Sequence, residues 1–122
     1  MTNEAAWTLY ERYLEGWKAI SAEERRKIAA EVLADDVQYS TRLHESGSRQ
    51  TAIEDMAAFQ TKFPGGHFDI GDVSGHHDHA LFTWVLVQAD STVFAKGHDQ
   101  IRVSQEGKIV SLITFPPSTP NP

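Results

Sequence analysis

The segment Phe63-Pro64-Gly65-Gly66 divides the chain by hydrophobic period. Upstream, Trp7, Tyr10, Tyr13, Leu14, Trp17 and Ile20 recur every three or four positions, one stripe of a helix. Ile28, Ala29, Val32 and Leu33 repeat the spacing, as do Ile53, Met56, Ala57, Phe59, Gln60 and Phe63. Downstream, apolar residues alternate or run together in strand-length segments, which predicts strands over 67–73, 79–89, 92–103 and 108–115. Helices first and an antiparallel meander afterwards imply one α+β domain, its helices laid across one face of a curved sheet.

Local chemistry sets the expected boundaries. Ser21 with Glu24 and Thr51 with Glu54 read as capping boxes that open the second and third helices. Asp35 and Asp36 are expected to end the second helix, and a short strand over 37–41 to follow, with Val37, Tyr39 and Thr41 on one face. Arg25, Arg26 and Lys27, flanked by Glu23 and Glu24, read as a solvated helix face. Residues 117–122, rich in proline, are expected to form a flexible tail after a domain over 1–116. The run Ala80 to Val87 is apolar on both alternating faces, so both should be covered. The chain's own helices can cover only one, which predicts a homodimer through the other sheet face.

Composition narrows the partners. At 122 residues with net charge −6, the chain lacks the basic surface that a polyanion requires, so no nucleic acid is expected. It has no cysteine for disulfides or thiolate chemistry, and no apolar run near the roughly 20 residues that span a bilayer. No membrane association is expected, and a cytoplasmic location is. A small neutral or weakly acidic ligand is the natural partner. No Gly-rich phosphate loop or Cys/His metal spacing appears, so no cofactor is expected.

Three motifs in order, "LADDVQY", "TAIEDM" and "GHDQIRVSQEGKIVSLITF", resemble those of the nuclear transport factor 2-like superfamily over nearly the whole chain. "FPGGHF" with "GHHDHALFTW" is most similar to its bacterial SnoaL-like, polyketide cyclase-like members. The resemblance implies a cystatin-like α+β barrel, in which a cone-shaped antiparallel sheet wraps around N-terminal helices and leaves an apolar pocket at its wide end. It also implies a small-molecule-binding protein, either an isomerase, cyclase or dehydratase acting on an apolar carbonyl compound, or a module that binds without turnover.

Asp99 is the most informative residue. Period two groups it with Ile101 and Val103, and a carboxyl among core residues has its pKa raised and can donate a hydrogen bond. By resemblance to ketosteroid isomerase, Asp99 falls at the acid, and Tyr13 at the tyrosine, that stabilise an oxyanion. That enzyme's general base falls at Thr41, which cannot take a proton at neutral pH. A base must then come from a histidine such as His44, His77, His79 or His98. Trp17, Tyr39, Thr41, Phe59, Phe63, Phe82, Trp84 and Phe115 are candidate pocket walls, though helix stripes and strand faces bury such residues anyway.

The cluster His76-His77-Asp78-His79 permits three readings: a metal site, a catalytic cluster, or the polar mouth of a buried strand. His77 and His79 share a strand face, but tetrahedral zinc needs three or four ligands and only His98 offers a third. The expectation is therefore a solvated turn and no metal.

Overall fold

The computed structural model describes residues 1–121. Its elements run α1 (Asn3–Glu15), α2 (Ala22–Val32), β1 (Leu33–Ser40), α3 (Arg49–Lys62), β2 (His67–His76), β3 (His79–Val87), β4 (Val93–Val103) and β5 (Ile109–Phe115). Pro122, the end of the expected tail, lies outside the described residues. The five strands form one sheet in the order β1-β5-β4-β3-β2, and the helices bury their apolar stripes against one face of it. The domain is α+β, as its periodicity implies. The sheet is mixed and open, because β1 runs parallel to β5 while the other pairs are antiparallel. No described helix is long and apolar enough to cross a membrane.

Several boundaries differ from expectation, each for a local reason. α1 stops at Glu15, and Trp17 and Ile20 lie in the turn beyond it. Arg25 holds that turn: its guanidinium donates to the carbonyl oxygens of Gly16 at 3.0 Å and Lys18 at 3.0 Å. Arg25 is therefore buried, and only Arg26 and Lys27 form the solvated face. α2 ends at Val32, because Leu33 already takes extended backbone and pairs with Ile109. Asp35 and Asp36 are then solvated residues of an edge strand, not a helix end. α3 is capped by Ser48 with Thr51, one turn ahead of the expected Thr51–Glu54 box.

The core unites both halves of the chain. Tyr10 and Tyr13 of α1 meet Phe82, Ile101 and Leu112 of the sheet, all nearly without solvent exposure. The Tyr10 ring stacks on Phe82 at 3.9 Å between centroids, a contact worth about 0.5–1.5 kcal/mol beyond its buried area. This orients β3: Phe82, Trp84 and Leu86 face the helices, while Leu81 turns outward.

Candidate functional site

Where the helices diverge from the sheet, a cavity of about 420 Å³ remains. Leu14 and Trp17 come from α1 and its following turn, Phe59 and Phe63 from α3, and Phe68, Trp84 and Leu86 from the sheet. Trp84 can lie flat across β4 because its cross-strand partner is Gly97, where any Cβ would collide with the indole. Exposed Arg42, Leu43, Lys62, Pro116 and Pro117 surround its mouth.

At the buried end stands Asp99, 4% exposed and flanked on β4 by Gly97 and Ile101. The Tyr10 hydroxyl donates to Asp99 Oδ2 at 2.7 Å. Asp99 Oδ1 is buried without a hydrogen-bond partner among the described residues, and Thr114 and the Trp84 indole are polar groups beside it. Burial pushes the Asp99 carboxyl up to about 6, and the Tyr10 hydrogen bond opposes that rise without cancelling it. Burial, followed by the neighbouring Asp99 charge, holds the Tyr10 hydroxyl well above the ordinary tyrosine value. Tyr10 thus stays a donor at any physiological pH, and Asp99 becomes one when protonated.

A second polar group lies on the α3 side. Asp55 lines the cavity, accepting from the Tyr39 hydroxyl at 2.8 Å through Oδ2 and lying 3.2 Å from His44 Nε2 through Oδ1. Thr41 shapes the turn beneath it, accepting from the Leu43 and His44 amides at 3.1 and 3.2 Å.

The candidates distribute unevenly over this arrangement. Asp99, Trp17, Tyr39, Thr41, Phe59, Phe63 and Trp84 line the cavity. Tyr13 is packed between α1 and the sheet outside the lining, and Tyr10, one turn earlier, takes the contact with Asp99. Phe82 lies beneath Tyr10 rather than on the cavity wall. Phe115 points outward, opposite His98. His44 reaches the cavity only through Asp55. His77 does not approach it: with φ of 51° it forms the β2–β3 turn, and its carbonyl accepts from the N-terminal amine. His79 pairs with Arg102 and His98 with Thr83, four residues apart along β3, so these histidines do not converge. No group of three or more metal-ligating side chains occurs among the described residues.

Tyr10 and Asp55 were not singled out from the sequence. Asp55 falls on the buried stripe of α3, three residues after Ala52 and four before Phe59. A carboxylate on an apolar stripe is the signal that marks it.

The profile of the SnoaL-like domain family matches residues 10–112. The chain belongs to the SnoaL-like family. Among solved structures, it is similar to a SnoaL-like family protein from Agrobacterium tumefaciens that carries a provisional isomerase name. The two share 27% identity over 94% of this chain and 99% of that one, with a TM-score of 0.84. A Jannaschia protein provisionally named a SnoaL-like polyketide cyclase matches at 14% identity, covering 93% of this chain and 85% of that one, with a TM-score of 0.73. A cystatin-fold protein from Novosphingobium aromaticivorans matches at 11% identity over 94% and 98% of the two chains, with a TM-score of 0.68. These last two speak to the fold alone. No curated relative matches the chain at a significant level.

Proposed function

We propose that this SnoaL-like protein is an enzyme that enolises a small, largely apolar carbonyl compound, as an isomerase, cyclase or dehydratase would. One observation carries the reading: a buried carboxyl, Asp99, bonded on one oxygen by Tyr10 and left open on the other beside an apolar cavity. Protonated Asp99, whose other oxygen accepts from Tyr10, is a donor held in a low-dielectric site, where it stabilises an oxyanion far better than water does. Asp55 receives the proton from the carbon next to the carbonyl, the C–H electron pair passes into the enolate, and the charge resides on the oxygen facing Asp99. Return of that proton to another carbon completes an isomerisation. His44 steadies Asp55 and shares its proton.

The test is hydrogen–deuterium exchange at the α-carbon of 2-tetralone, followed by NMR. Exchange that the native protein accelerates and Asp99→Asn does not supports the reading. Binding without accelerated exchange supports turnover-free binding instead. Thr41 favours that second reading: its hydroxyl is tied to two backbone amides and offers no base where the resemblance to ketosteroid isomerase calls for one.

A further inference from the structure

We infer that the cavity takes a substrate bearing a carboxylate at the end that faces solvent, opposite its carbonyl. This rests on the proposed enolising site and names its substrate class. The cavity lining holds four charged residues, Arg42, Asp55, Lys62 and Asp99. Both acids are engaged inside the protein, Asp55 by Tyr39 and His44 and Asp99 by Tyr10. Among the described residues Arg42 and Lys62 make no salt bridge, although the chain carries net charge −6. An acidic protein with two free cations at the mouth of an apolar cavity presents a local positive rim against a repulsive background.

Both cations are placed there by the backbone. Thr41 and His44 exchange backbone hydrogen bonds of 2.8 and 3.2 Å, so Arg42 and Leu43 form the corner of a tight turn over the mouth. Leu43 remains 75% exposed there. Across the mouth, the Lys62 ammonium lies 5.7 Å from the centroid of the Phe63 ring, which is itself a cavity wall. A planar guanidinium suits the two oxygens of a carboxylate. A phosphate fits less well, because Lys62 closes the C-terminal end of α3, whose dipole opposes a dianion.

Binding of 6-hydroxy-2-naphthoate, its methyl ester and 2-naphthol, read by fluorescence, tests the inference. The phenol of each probe stands in for the enolate at Asp99, and only the first carries the distal charge. The acid is expected to bind about tenfold more tightly than the ester, a preference that weakens as salt rises. Arg42→Gln with Lys62→Gln should abolish the preference, so that acid and ester bind the double variant alike. Equal binding of acid and ester, or a preference that survives in the double variant, overturns the inference and leaves the enolising site standing. Failure of 2-naphthol and the ester to bind at all removes the site, and this inference with it.

Discussion

The Tyr10 hydroxyl and the Asp99 carboxyl are 89 positions apart in sequence and 2.7 Å apart in the fold. The bond joins the first helix to the fourth strand within the core, and among the described residues the other Asp99 oxygen has no such partner. Replacing Tyr10 by Phe keeps the ring on Phe82 and removes the donor. Because that donor lowers the Asp99 pKa, the carboxyl should titrate at still higher pH, visible by carbon-13 NMR. Unfolding free energy at neutral pH should fall by about 1.5–3 kcal/mol, the range for a hydrogen bond to a charged group.

Asp99 also makes stability depend on pH. Burial lifts it from its ordinary 3.8 to about 6, so between those values the folded chain holds a proton that the unfolded chain has released. Stability must fall as pH rises through that window, by about 3 kcal/mol in all. Asp99→Asn should flatten the slope in urea titrations collected across pH 4–7. A slope unchanged in the variant would assign it to other groups.

Gly97 is the seat of Trp84. Any side chain there meets the indole and, at 2.7 Å, the Phe115 carbonyl oxygen. Gly97→Ala should cost about 1–3 kcal/mol, the usual range for overpacking, and should weaken 2-naphthol binding as Trp84 moves into the cavity. Calorimetry and fluorescence titration report the two effects separately.

Asp55 and His44 divide the proton work in the proposed reaction. His44→Gln should slow tetralone exchange by about 100-fold while leaving 2-naphthol affinity alone, the signature of a proton-transfer group. Asp55→Asn should abolish exchange. Equal rates in His44→Gln and the parent would assign the base to Asp55 alone.

We also propose that a second copy covers the outer face of the sheet, where Leu81 and Phe115 are 46% and 47% exposed and Val85 shares their face. Leu81→Lys places a charge in that face. The parent is expected to run as a dimer in light scattering, and the variant as a monomer with its helical circular dichroism intact.

Much of the fold was legible because burial imposes a period. The three helices and the β2–β5 meander announce themselves through stripes and alternation. β1 hid its beginning because an edge strand tolerates solvated Asp35 and Asp36, and its parallel partner lies across an intervening helix and meander. The site was partly legible. Tyr10 and Tyr13 lie on the same helical stripe, so only the helix's tertiary register decides which hydroxyl reaches Asp99. Phe115 was misplaced by a bulge: Val103 pairs with Ile109 but Arg102 with Ser111, so Val110 is an extra residue that flips the faces beyond it. Asp55 was overlooked because it reads as an ordinary helix acid until its neighbours Ala52 and Phe59 are seen to be buried.

The parallel union of β1 with β5 has a consequence for synthesis. Tyr39 bridges Gly47 within the same segment, but its strand pairs in the sheet with Ile109–Phe115, so on a ribosome that pairing waits for some seventy further residues. The nascent chain therefore carries β1 without its sheet neighbour until β5 has been made, and the chamber closes late.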